Sequence, residues 1–137
     1  MGSGVVPLDV VDRDAVVALW ERCGLTRPWN DPYADLDRAL AGPSSTVLVV
    51  PGPSGPVATV MVGHDGHRGW LYYLAVDEAH RRRGTGRALV EGAERWLAEH
   101  VPKVQLMVRS DNPDAVGFWA RLGYEASDVT VLGRRVG

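Results

Sequence analysis

The sequence predicts a mixed α/β domain in which an antiparallel meander of strands joins a βαβ unit. Three observations carry this. Short apolar runs separated by Gly- and Pro-rich turns crowd residues 46–76, apolar positions return at helical spacing on either side of them, and an almost wholly apolar strand pattern at 70–76 runs through a polar turn into the longest helical pattern.

Taken in order, residues 5–10 read as a short first strand, with Pro7 suited to an edge. Asp12 is placed to cap a helix over 13–23, where Val16, Leu19, Trp20 and Cys23 share one face and Gly24 ends the run. Residues 25–32 form a loop, after which Asp31 caps a second helix with Pro32 in its first position and Leu36, Ala39 and Leu40 on its apolar side. Strands follow at 46–50, 57–62 and 70–76, joined by turns at 51–56 and 63–69. The long helix spans 84–100, with Ala88, Leu89, Gly92, Ala93, Trp96 and Leu97 as its buried stripe. A strand at 103–109 leads to a helix capped by Asn112, with Pro113 next and Gly123 as its stop, and residues 124–126 and 129–134 supply two last short strands.

With 137 residues, 45% hydrophobic and 23% charged, the chain fits one domain spanning 1–137. Met1-Gly2-Ser3-Gly4 reads as a native start, a cloning remnant or a flexible terminus. A net charge of -2 argues against general nucleic-acid binding, and no apolar run approaches the roughly 20 residues of a membrane span. Cys23 is the single cysteine, so no internal disulfide forms, and no Cys/His cluster has metal-ligand spacing; a cytoplasmic location follows as the expectation. Charge is uneven: residues 1–42 hold seven acids against four arginines, whereas Arg81, Arg82, Arg83 and Arg87 fall together. The first region suits a cationic substrate and the second an anionic ligand, although solvated surface accounts for either.

The segment from Tyr73 to Leu89 carries the chemistry. A buried strand enters a polar turn, Arg81-Arg82-Arg83-Gly84-Thr85-Gly86-Arg87, and then the long helix. Glycines two apart let backbone approach a ligand, and amides at a helix start lack intrahelical partners, which makes a seat for phosphate oxygens. It is neither a dinucleotide fingerprint, lacking the third glycine, nor a P-loop, lacking the Lys-Ser or Lys-Thr pair.

This segment resembles motif A of the GNAT superfamily of N-acetyltransferases, Arg/Gln-x-x-Gly-x-Gly/Ala, at Arg81, Gly84 and Gly86. A second block, from Asn112 through Ala115, Phe118 and Gly123 to Tyr124 and Glu125, resembles the family's Asn-x-x-Ala-x-x-Phe-Tyr-x-x-x-Gly-Phe/Tyr-Glu pattern except at Trp119. Leu19-Trp20-Glu21-Arg22-Cys23, the stretch from Arg27 to Pro32, and the turn from Gly63 to Gly69 are similar to the YpeA-like bacterial subfamily. The resemblance implies a mostly antiparallel GNAT-like sheet flanked by helices, with a V-shaped opening between the strands at 70–76 and 103–109. It implies acetyl-CoA as cosubstrate, its pyrophosphate on the turn from Arg81 to Arg87 and its pantetheine arm on amides of Leu74, Ala75 and Val76. Asn112 and Trp119 would complete that groove. The implied reaction is direct transfer of an acetyl group to a primary amine of a small molecule or peptide. A noncatalytic acyl-CoA-binding or sensory module is the alternative.

Several family members carry a carboxylate near the start of the strand entering motif A; here Trp70 stands there. His64, Asp65 and His67, on the turn beside the cleft, are candidate replacement bases, Glu21 is another candidate base or an anchor for the amine, and His64 and Asp65 are also candidate acceptor contacts. A polar turn set by Asp65-Gly66 explains the same residues without chemistry. Tyr72 and Tyr73 are expected on opposite faces of their strand, with Tyr73 a candidate proton source. Trp119 takes the place of the usual tyrosine near the leaving thiolate; its indole N–H donates a hydrogen bond but is no practical acid, so it shapes the thioester end of the groove or wedges beside Phe118. Trp29, Asn30 and Asp31 are candidate acceptor contacts, and Cys23 reads as core. An uncovered sheet edge leaves room for a homodimer.

Overall fold

The computed structural model describes residues 4–137, so of the four opening residues only Gly4 is described. The chain divides into two compact units, one ending at Met107 and one from Val108 to Gly137. The first holds a five-stranded sheet in the order β1-β2-β3-β4-β5: β1 Val6–Pro7, β2 Ser45–Val50, β3 Ala58–His64, β4 Gly69–Val76 and β5 Val104–Leu106. The first four strands are antiparallel, whereas β4 and β5 are parallel and joined through α3, Thr85–Ala98. This is the mixed sheet with one βαβ unit that the hydrophobic patterning predicts.

Helices cover both faces. On one face α1 (Arg13–Arg22) and α2 (Pro32–Ala41) bury Val16, Val17, Leu19, Trp20, Leu36 and Ala39 against Val47, Val49 and Ala75. On the other, α3 buries Leu89, Val90, Ala93 and Leu97 as it packs on β2, β3 and β4. That two-sided cover is why β3 and β4 read as nearly continuous apolar runs. Gly92 lets α3 approach the chain just before β1: a Cβ there would lie 2.8 Å from Val5 Cγ1.

Some expectations need correction. Asp12 makes no capping bond; the chain enters α1 through a 3-10 turn at Val10–Asp12, and Asp9 caps that turn by accepting from the Val11 amide at 3.1 Å. Residues 103–109 form a strand over three positions only, because pairing with β4 ends at Leu71–Leu106. In the second unit α4 (Pro113–Arg121) is capped by Asn112 Oδ1 on the Ala115 amide, and Gly123 stops it at φ 91°. The strands expected at 124–126 and 129–134 are absent; Val129, Val131 and Leu132 are exposed. An apolar run is a strand only where another edge takes its backbone hydrogen bonds, and periodicity cannot supply that edge. Among the described residues no helix is long and apolar enough to cross a membrane, and no group of three or more His, Cys, Asp or Glu residues could hold a metal ion.

Candidate active site

The site starts with an irregularity in β4. Thr59 pairs with Ala75 and Met61 with Tyr72, so Tyr73 and Leu74 together oppose the single Val60. This β-bulge holds Tyr73 at φ 52°, in the left-handed region that a bulky side chain rarely enters. Strand alternation is reset there. Tyr72 and Tyr73, expected on opposite faces, line the same cavity on the α2 side of the sheet.

The bulge also exposes an edge. Pairing of β4 to β5 stops at Leu71, just before it. The Asp77 amide donates to Val57 O at 2.8 Å, so alternation turns the Val76 backbone groups outward, away from β3. The outward carbonyl of Val76 accepts from Arg81 Nε at 3.0 Å. Arg81 also reaches Cys23 Sγ at 3.6 Å, and Arg22 pairs with Asp77 at 3.6 Å. The turn into α3 is thereby tied to the end of β4 and to α1.

That turn is preorganised. Arg82 (φ 64°) and Gly84 (φ 77°) both adopt left-handed backbone, and Gly84 is the N-cap of α3. The first intrahelical bond runs from the Ala88 amide to Gly84 O at 3.0 Å, leaving the Thr85, Gly86 and Arg87 amides without intrahelical acceptors. Three parallel donors at the positive end of a 14-residue helix form an anion seat.

The cavity of about 540 Å³ is bounded by Leu25, Asn30, α2, Ser45, the Met61–Gly63 end of β3 and the two tyrosines. Tyr73 lies flat on buried Trp20, with centroids 3.9 Å apart, and its hydroxyl donates to Asp35 Oδ2 at 2.7 Å. Burial first, and then that hydrogen bond, hold the Tyr73 phenol well above the ordinary tyrosine range. The other Asp35 oxygen accepts from Arg38. α2 is set against α1 by Arg13 on Asp37 (2.7 Å) and by Tyr33 on Asp14 (2.9 Å), which fixes the position of Asp35.

The Acetyltransferase (GNAT) family matches residues 11–124 of this sequence. The chain belongs to the GNAT family. An acetyltransferase of Pectobacterium atrosepticum is 45% identical over 126 residues, 91% of this chain and 89% of that protein. Among solved structures, the aminoglycoside N-acetyltransferase AAC(6')-Iy in complex with CoA superposes with a TM-score of 0.80 at 13% identity, covering 96% of this chain and 93% of that one. A glucosamine-6-phosphate N-acetyltransferase from Arabidopsis thaliana gives 0.72 at 18% identity, over 95% and 96%. These structural likenesses concern the fold; the family match supports acetyl-CoA-dependent acetyl transfer in general. The residues present suit that cosubstrate, since the α3 amides offer an anion seat and the β4 edge beyond Leu71 offers outward backbone groups.

In this GNAT protein the sequence-predicted residues separate. Arg81, Arg82, Arg83, Gly84, Thr85, Gly86 and Arg87 form the turn and first helical residues described above, past the end of β4, which itself holds Leu74, Ala75 and Val76. Asn30 lines the cavity with Tyr73, whereas Trp29 is 58% exposed in the turn beside it. Asp31 is spent on capping: its Oδ1 accepts from the Tyr33 and Ala34 amides. Asp65 likewise builds its turn, accepting at 2.8 Å from the His67 and Arg68 amides, and those bonds hold its carboxyl below the usual range.

His64 is not on the overhanging turn. It ends β3 on the α3 face, stacked on His100 at 4.4 Å and beside Trp96, so the sheet separates it from the cavity. His67 and Glu21 are exposed and do not line the cavity. Cys23, expected in the core, is half-buried at its margin. Within the second unit Trp119 is buried with its ring edge-on to Phe118 and Tyr124, both at 5.1 Å, and Asn112 caps α4. Sequence reasoning missed Asp35, Arg38 and Ser45. The available signal was spacing: Asp35 stands one helical turn from buried Ala39, on a face otherwise used for packing.

Proposed function

We propose that this protein transfers an acetyl group from acetyl-CoA to a primary amine of a small molecule or peptide held in the α2-side cavity. The bulge at Tyr73 and Leu74 carries the reading, because one irregularity opens the β4 edge and turns two tyrosines into the cavity beside it. In this reading the Thr85, Gly86 and Arg87 amides hold the pyrophosphate and the backbone of β4 from Leu74 to Val76 aligns the pantetheine arm. Bound there, acetyl-CoA supplies an activated thioester. An outward β4 amide stabilises charge developing on the carbonyl oxygen, a contribution worth about 3 kcal/mol in comparable sites.

Tyr73 is assigned to the cavity wall rather than to proton delivery. Its hydroxyl proton is already directed at Asp35, and its raised pKa makes it a weak acid. Solvent then protonates the departing thiolate. The likeness to the YpeA-like subfamily and a cytoplasmic location belong to the same proposal.

Titration calorimetry tests it. Folded protein is expected to bind acetyl-CoA one to one, and thiol release should follow when an amine is added. Absence of binding overturns the proposal, and binding with no transfer to any amine tested returns the sensory-module reading.

A further inference from the structure

The charged groups lining the cavity are one of each sign. Asp35 and Arg38 stand one turn apart on α2 and pair through Arg38 Nη2 and Asp35 Oδ1 at 2.5 Å, while Asn30, Ser45, Tyr72 and Tyr73 are the neutral polar groups around them. The acidic excess of residues 1–42 does not reach this space: Asp31 caps α2, Asp37 binds Arg13 and Asp14 binds Tyr33. A cavity with no net charge gains little from a polycation. A bare amine meets a carboxylate already balanced by a guanidinium.

The pair nevertheless has unmet capacity of both signs. A carboxylate offers about four lone-pair sites and a guanidinium five N–H donors. Tyr73 and Arg38 take one site on each Asp35 oxygen, and Arg38, its side chain 73% exposed, makes one bond. A ligand with adjacent ammonium and carboxylate groups would place the first on Asp35 and the second on Arg38, closing a ring of alternating charge. Leu25, Ala39 and Met61 give the rest of the cavity an apolar lining.

We infer that the acceptor is a free α-amino acid with an apolar side chain, its ammonium on Asp35, its carboxylate on Arg38 and its side chain on the wall at Leu25 and Met61. This rests on the acetyl-transfer reading above. In the transfer the C–N bond forms as the C–S bond breaks. The ammonium gives one proton to solvent before attack, and the second, lost from the new amide nitrogen, balances protonation of the thiolate. A dipeptide separates the two charges by a further residue and fits the adjacent pair poorly.

The test titrates purified full-length protein with L-phenylalanine, phenethylamine, phenylalanyl-glycine and spermidine by calorimetry, with and without acetyl-CoA, and follows thiol release in parallel. L-Phenylalanine is expected to bind at least about tenfold more tightly than phenethylamine, the loss expected for one charged hydrogen-bonded contact. Arg38→Met, a change at an exposed side chain, should remove that preference and leave acetyl-CoA affinity unchanged. Equal or tighter binding of phenethylamine, the dipeptide or spermidine overturns the inference. So does failure of L-phenylalanine to bind, or a preference that survives Arg38→Met. Failure of the acetyl-transfer reading would show separately, in the acetyl-CoA titration alone.

Discussion

Substituting Gly84 with valine isolates the contribution of backbone torsion to the anion seat. At φ 77° an L-residue other than glycine costs about 1–2 kcal/mol, because its Cβ crowds the adjacent carbonyl oxygen. A Cβ built at Gly84 meets nothing within 4 Å, so torsion is the whole expected effect and no packing clash is added. That energy has two destinations. If the loop keeps its shape, unfolding free energy falls by about 1–2 kcal/mol and acetyl-CoA affinity is unchanged. If the loop relaxes, stability is kept and the same energy is spent on binding, raising Kd roughly 5- to 30-fold. Denaturant unfolding and calorimetry on one preparation should therefore show losses that sum to about 1–2 kcal/mol. Gly66→Val is the control: Gly66 has φ 84°, equally open surroundings, and sits in the Asp65 turn. It should lose stability and keep its affinity. Gly84→Val with wild-type stability and wild-type affinity would refute the torsional argument, and Gly66→Val weakening acetyl-CoA as much as Gly84→Val would remove the cofactor from α3.

Three other outcomes follow from the same geometry. Gly92→Ala places a Cβ 2.8 Å from Val5 Cγ1 and 3.1 Å from its Cβ, so it should destabilise by about 1–3 kcal/mol, visible as a lower Tm. Tyr73→Phe keeps the stack on Trp20 but removes a donor to Asp35, and should cost about 1–3 kcal/mol near neutral pH. Because folding raises the Tyr73 pKa, the stabilisation of its neutral form is complete below the ordinary tyrosine value and is lost as pH rises above it; the gap between wild type and Tyr73→Phe should narrow in unfolding curves taken above pH about 10. His64→Phe keeps the ring contacts with His100 and Trp96 on the α3 face and should leave the acceptor KM unchanged; a raised KM would bring His64 back to the site.

What was legible in the sequence is what depends on neighbours along the chain. The strand meander, the long α3, the caps by Asp31 and Asn112, the Gly84 turn and the family blocks are local patterns, because helical spacing, capping and left-handed glycine act within a few residues. The Asp12 cap failed within that same range, displaced by a 3-10 turn that periodicity does not register. The last two expected strands failed because an apolar run carries no information about whether an edge is available to it.

The cavity is of the second kind throughout. Nothing local to Tyr72 and Tyr73 distinguishes a regular strand from one with an inserted residue; Val60, on another strand, decides that two residues face one. The partner of Tyr73 lies 38 residues away, and His64 was misplaced because strand length, set by pairing with Gly69, decides which sheet face a histidine joins. The sequence by itself determined the helices, the strand meander and the loop that begins α3. Tertiary structure alone decided which side chains share a cavity, because hydrogen-bond register and helix docking bring together residues whose separation along the chain carries no sign of it.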